Sequence, residues 1–160
     1  MSVPLLVILM GSKADSAHCA KIAEAAQQFG LEVVQRTGSA HKTPAHVLKL
    51  LAEYETGPRP VVFITVAGRS NALSGFVDGA VSAPVIACPP PAEAFGGADI
   101  FSSLRMPSGI APALVLEPAN AALCAAKIFA INDPAIRERV RAFQQQQAQK
   151  VINDDANQNA

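Results

Sequence analysis

The 160-residue sequence has no tryptophan, one tyrosine and seven phenylalanines, so it lacks the aromatic platforms on which single-stranded bases or a flavin ring would stack. Cysteine is also scarce. Cys19, Cys88 and Cys124 are odd in number and widely spaced, with no Cys-x-x-Cys pair, which argues against a disulfide framework and against zinc. Net charge is absent too, because 13 Lys and Arg balance 13 Asp and Glu. Binding to a phosphate backbone needs a concentrated cationic face, and without a Lys/Arg cluster no nucleic-acid partner is expected. The same balance excludes a polybasic membrane anchor. The longest apolar run, Pro4 to Met10, falls far below the roughly 20 residues that span a bilayer, and no basic segment precedes it as in a signal peptide. The expected location is cytoplasmic, with no membrane partner.

What is present is aliphatic. The hydrophobic fraction of 50% suits one well-cored domain, and a chain of this length buries roughly 70% of its unfolded surface without needing a staple. Short β-branched or aliphatic runs at 5–10, 32–37, 61–66, 84–87 and 113–116 alternate with longer amphipathic stretches. This is the pattern of βαβ units and a parallel sheet. A first helix is predicted from Asp15 to Phe29, with Ile22, Ala25, Ala26 and Phe29 on one face and Gly30 as its C-cap. Thr43 and Pro44 supply an N-cap and a first-turn proline for a second, running through Leu48 and Leu51 to about Glu55. Further helices are predicted over 71–81 and 119–131. After Asp133-Pro134 a last helix carries Ile136, Val140 and Phe143 at helical spacing. With no strand to follow it, that helix is expected to dock on a neighbouring subunit. From Gln144 the apolar periodicity is lost, so 1–143 reads as the domain and 144–160 as a polar extension expected to fray.

Ligands of open parallel sheets bind beyond the carboxyl ends of the strands. After the first strand, Gly11-Ser12-Lys13-Ala14-Asp15 runs into a helix, where free N–H groups favour an anion. Ser12 could donate to a phosphate and Asp15 could accept from sugar hydroxyls, or either could simply cap the helix. After the second, Ser39-Ala40-His41-Lys42-Thr43-Pro44 sets an imidazole beside a fixed cation. An imidazole both gives and takes protons near neutral pH, and Lys42 could hold an anionic substrate. After the third, Ala67-Gly68-Arg69-Ser70-Asn71 joins a close backbone approach to a guanidinium suited to planar anions. Cys88 has no visible adjacent base and reads as packing, while His18 and His46 read as surface or core residues. Ser102 to Gly109 could be a subunit contact or a substrate lid. No Gly-x-Gly-x-x-Gly or Walker sequence is present, and no ligand spacing suggests a metal. The turns together point to a small phosphorylated substrate and proton transfer.

These motifs resemble the PurE family of purine biosynthesis, the 5-aminoimidazole ribonucleotide (AIR) carboxylases and their mutase relatives. The resemblance rests on Met10-Gly11-Ser12-x-x-Asp15, Ser39-Ala40-His41-Lys42-x-Pro44 and Leu104-x-Met106-Pro107-Ser108-Gly109, and it runs from about Leu5 to Phe143. In the commoner bacterial branch the third turn resembles Gly-Gly-Ala-Ala-His-Leu-Pro-Gly, and the enzyme moves a carboxylate from N5 of N5-carboxy-AIR to C4. Here that turn lacks the histidine. Lys42, Cys88-Pro89-Pro90 and Ser102-Ser103-Leu104-Arg105 likewise look like the animal carboxylase branch, which joins CO2 directly to C4.

The resemblance implies a three-layer, doubly wound α/β fold of the flavodoxin-like or Rossmann-like kind, and no cofactor. It also implies a stand-alone bacterial enzyme and a homo-oligomer, an octamer or alternatively a tetramer. Its substrates would be AIR and CO2, its product 4-carboxy-AIR (CAIR). His41 would be the general acid/base, and Gly11, Ser12, Asp15, Ser39, Lys42, Arg69 and Ser70 would bind substrate. Ala67, Gly68 and Asn71 would line a CO2 pocket. The nearest rival is the mutase reaction on the same fold. A non-enzymatic receiver-like module is more distant, because receivers need acidic residues where Gly11-Ser12-Lys13 and Gly68-Arg69 stand.

Overall fold

A computed structural model describes residues 3–158. Five parallel strands, β1 (Leu5–Met10), β2 (Glu32–Thr37), β3 (Val61–Val66), β4 (Val85–Ala87) and β5 (Ala113–Leu114), lie in the order β2-β1-β3-β4-β5. The helices are α1 (Ser16–Gln27), α2 (Pro44–Glu55), α3 (Leu73–Asp78), α4 (Phe101–Leu104), α5 (Pro118–Phe129) and α6 (Pro134–Gln158). The chain turns outward from β1 to β2, then crosses to β3 on the other side of β1. This flavodoxin-like order places the topological switch point between β1 and β3.

Strand alternation sorts the core into two layers. Leu6, Ile8 and Met10 pack with Val62, Ile64, Val66 and Ile86 against α1, α5 and α6. Leu5, Val7 and Leu9 face the opposite way, with Phe63 and Val85, onto α2 and α3. Because both faces of β1 are covered, its six residues are all buried and read as one continuous apolar run. Helix α5 buries Ala121, Ala122, Ala125 and Ala126, and such small side chains let helices approach closely. Helix α1 ends at Gln27 with Gln28 as its C-cap, two residues before the predicted Phe29 and Gly30. Gly30 takes φ of 70° and its N–H reaches the Gln27 carbonyl at 2.9 Å, a left-handed C-terminal turn that glycine adopts without penalty.

Several boundaries differ from the sequence reading. The opening of α1 is a separate 3-10 turn, Lys13–Asp15. In α2 the buried residues are Val47, Leu50 and Leu51, while Leu48 is exposed. β4 and β5 are shorter than expected, because β5 pairs only through Ile86 and Ala87. The third helix is confined to Leu73–Asp78. Ile136 and Val140 of α6 are buried within this chain's own core, and Phe143 meets Phe29 edge-on with ring centroids 5.4 Å apart. The helix then continues to Gln158 where fraying was expected, with every side chain from Gln144 to Gln158 exposed. The run of Gln, Ala and Lys contains no Gly or Pro to stop it. Asn159 and Ala160, the end of the proposed extension, lie outside the described residues.

Ile8 is fully buried in the middle of the central strand. Ile8→Ala is expected to lower unfolding free energy by about 2–5 kcal/mol, seen in urea titration as a lower midpoint at unchanged slope.

Candidate active site

Register brings the three suspected turns together. Met10 pairs with both Thr37 and Val66, so β1, β2 and β3 finish level and their following turns share one sheet edge. The ladder extends one residue further, with Gly11 N–H to the Val66 carbonyl at 2.8 Å and Gly38 N–H to the Met10 carbonyl at 2.9 Å. A cavity of about 660 Å³ opens there. Its walls are Gly11, Ser12, Ala14 and Asp15, then Ser39 to Lys42, then Ala67 to Ser70. Ten of the eleven residues proposed from sequence for the site therefore converge, and the far wall comes from Pro90 to Ala94 with Asp99.

Each turn is built to free its functional groups. Ser12 caps the 3-10 turn, accepting from Ala14 N–H at 3.2 Å, whereas Asp15 makes no side-chain capping bond to α1. Its carboxylate is thus available to the cavity. Partial burial raises the Asp15 pKa from its ordinary 3.8, offset in part by backbone hydrogen bonding from Ser12 and by His18. In the second turn Thr43 leaves α2 uncapped by its side chain. Its hydroxyl instead accepts from Ser39 N–H at 2.9 Å, while Ser39 Oγ accepts from Lys42 N–H at 3.2 Å. The loop closes on itself and presents His41 and Lys42, both exposed, at its tip.

The third turn differs from the sequence reading at one position. Asn71 does not line this cavity; it is 4% exposed, its Nδ2 donating to Ser103 Oγ at 2.9 Å and its Oδ1 accepting from Ser74 N–H at 3.2 Å. Ala67, Gly68 and Arg69 line both the main cavity and a smaller side chamber of about 290 Å³, whose other walls include Pro89, Pro90, Pro91, Ile100 and Leu116. A side chain on Gly68 would sit 3.4 Å from Pro90 Cγ, so glycine keeps this backbone open to the chamber. In the segment Ser102 to Gly109, Ser102 and Ser103 bond to the third turn of the same chain, and just beyond it Ala111 N–H donates to Asp78 at 2.7 Å.

Cys88 is fully buried, with its thiol pKa pushed up to about 12 by desolvation, as suits packing rather than nucleophilic attack. Yet it is not alone. His18 Nε2 lies 3.4 Å from Cys88 Sγ, a contact across 70 residues of sequence that no local pattern reveals. His46 is exposed. Among the described residues no group of three or more His, Cys, Asp or Glu is placed to hold a metal ion, and no helix is long and apolar enough to cross a membrane.

A doubly wound sheet whose switch-point cavity is lined by the Ser12–Asp15 turn, an imidazole and two cations has the make-up of a small-ligand site. The sequence pattern of the AIR carboxylase family matches residues 5–150. A phosphoribosylaminoimidazole carboxylase of Treponema denticola is 59% identical over 153 residues, 96% of each chain. One from Archaeoglobus fulgidus is 57% identical over 149 residues, covering 93% of this chain and 82% of that one. A bifunctional phosphoribosylaminoimidazole carboxylase/phosphoribosylaminoimidazole succinocarboxamide synthetase of Mus musculus is 44% identical over 137 residues, 86% of this chain and 32% of that longer protein. The crystal structure of Treponema denticola PurE superposes with a TM-score of 0.95 at 58% identity, covering 96% of this chain and 98% of that chain. The chain belongs to the AIR carboxylase (PurE) family.

Burial lowers the His18 pKa from its ordinary 6.5, and Lys21 lowers it further, against the opposing effects of Cys88, Asp15 and Glu117. The unfolded chain therefore takes up a proton near pH 6.5 that the folded chain refuses until lower pH. This contribution to stability is full above about pH 6.5 and is lost as pH falls below it. Urea midpoints at pH 7.5 and 5.5 are expected to separate more for the unmodified protein than for His18→Gln.

Proposed function

We propose that this protein joins CO2 directly to C4 of AIR to give CAIR. The observation that carries this reading is the convergence of His41 with the Ser12–Asp15 turn on one cavity, beside a third turn with no histidine. Ser12 and the N–H groups around it would take the 5-phosphate, and Asp15 the ribose hydroxyls. Gly11, Ser39 and Ser70 would shape the rest of the substrate pocket. Lys42 and Arg69 supply positive charge for the phosphate and the new carboxylate. Ala67 and Gly68 would hold CO2 at the mouth of the apolar side chamber, with Asn71 bracing that turn from behind.

The chemistry needs little else. The exocyclic amine of AIR pushes electron density to C4, which attacks the carbon of CO2; the new C–C bond forms as one C=O π pair moves onto oxygen. C4 then carries both a proton and a carboxylate. His41 takes the proton, the C–H electron pair restores aromaticity, and the imidazolium later releases its proton to solvent. Neither ATP, biotin nor a metal has a step to perform. Moving a carboxylate from N5 to C4 would also require delivering a proton to N5 as its bond to the carboxylate breaks, and absence of a second histidine from the third turn favours direct carboxylation.

We also infer a homo-oligomer, an octamer by family likeness, working in the cytoplasm. Phe95, Phe101 and Leu104 are exposed on the Glu93–Leu104 segment, and Val151 and Ile152 on the solvent-surrounded half of α6. Light scattering is expected to give a multiple of the 16.6 kDa chain; a monomer would overturn this.

His41→Asn is expected to lower CAIR formation from AIR and CO2 by roughly 10² to 10⁴-fold while AIR still binds in calorimetric titration. Unchanged turnover would remove His41 from the mechanism. Asp15→Ala is expected to weaken AIR binding by roughly 10- to 100-fold, the worth of a charge-assisted hydrogen bond. An unaltered dissociation constant would make Asp15 a residue of the helix start only.

A further inference from the structure

Arg69 has φ of 58°, a left-handed conformation that is unfavourable for any residue carrying a Cβ and persists only where its surroundings impose it. The imposing group is on α4. Ser102 Oγ lies 3.1 Å from the Arg69 carbonyl, to which it can donate, and it accepts from Asn71 N–H at 2.9 Å. One hydroxyl thus spans the turn from the residue with the unusual φ to the residue two further on. Its proton is shared with the Asp99 carbonyl at 2.8 Å, which ties the same oxygen to the other wall of the cavity. Ser103 reinforces the grip through the buried Asn71 side chain. Ser102 itself lines neither the main cavity nor the side chamber.

We propose that Ser102 is a positioning residue: by bridging the Arg69 carbonyl and the Asn71 amide it locks the turn 67–70 in the shape that receives the one-carbon reactant. This rests on the carboxylase reading above. The hydroxyl acts through the backbone of Ala67 to Ser70, so its removal disturbs the CO2 side of the site most, reaches AIR only through Arg69 and Ser70, and spares the Ser12–Asp15 turn, which belongs to a different strand.

Two variants of the full chain test it, Ser102→Ala and Ser102→Thr. Alanine is the best helix former, so α4 persists without the hydroxyl; threonine keeps it. In hydrogen–deuterium exchange, peptides covering residues 68–73 are expected to exchange faster in Ser102→Ala and to regain protection in Ser102→Thr. Equal exchange in all three proteins would overturn the clamp. In steady-state assays with AIR and dissolved CO2 varied separately, Ser102→Ala is expected to raise KM for CO2 roughly 3- to 10-fold, the worth of one or two hydrogen bonds, and to raise KM for AIR, through Arg69 and Ser70, by a smaller factor. The threonine variant is expected to restore the lower value. Equal rises in both KM values, or none, would contradict the proposal. If the unmodified protein forms no CAIR at all, the carboxylase reading fails, and the exchange experiment still decides whether Ser102 holds the turn.

Discussion

The level finish of three parallel strands is the constraint on which the rest of the molecule depends. Ladder bonds between β1 and its two neighbours put Met10, Thr37 and Val66 in one row. Both faces of β1 are packed, so a slip of one residue would exchange its two side-chain sets between layers that are each already full. The register is therefore strongly specified. The proposed site inherits this rigidity, because the three turns that follow can only open on the same edge. A loop displaced by one residue, about 3.3 Å along a strand, would separate His41 from the Ser12–Asp15 turn.

The opposite wall is made differently. β4 contributes only three residues, after which Cys88 N–H bonds the Thr65 carbonyl at 2.9 Å and prolines take over. Prolines carry no N–H donor and hold their φ fixed, so this wall is stiff and poor in donors. The cavity is consequently polarised, with donors and cations on the β1, β2 and β3 turns and an apolar annex behind Pro89 to Pro91. The carboxylation proposed for this cavity, which joins an anionic ribonucleotide to CO2, would use both halves.

How much of this was legible in sequence depended on range. β1, β2 and β3 were readable to the residue: β1 and β3 are central and buried, leaving apolar runs between turn residues, whereas β2 is a partly exposed edge strand marked by Val33-Val34 between Gly30 and Gly38. The three turns were readable because an address at a strand's carboxyl end narrows the search to a few positions. Asn71 was misassigned to a lining position, because an amide beside a suspected site looks functional and only the fold shows that it faces Ser103 and Ser74. Asp99 and Pro90 to Ala94 were missed as cavity walls: their segment has no periodicity, and its three successive left-handed residues, Phe95, Gly96 and Gly97, left only the Gly-Gly pair as a signal. The His18–Cys88 and Ser102–Arg69 contacts span 70 and 33 residues, and sequence spacing carries no information about such distances.

The central claim is that carbon enters as CO2 and not from N5 of the substrate. The most direct measurement supplies the purified protein separately with AIR plus CO2/bicarbonate and with N5-carboxy-AIR, and follows CAIR in each. Faster product from AIR, rising with dissolved CO2, is the predicted result. Product from N5-carboxy-AIR alone would contradict it and make the same cavity that of a mutase.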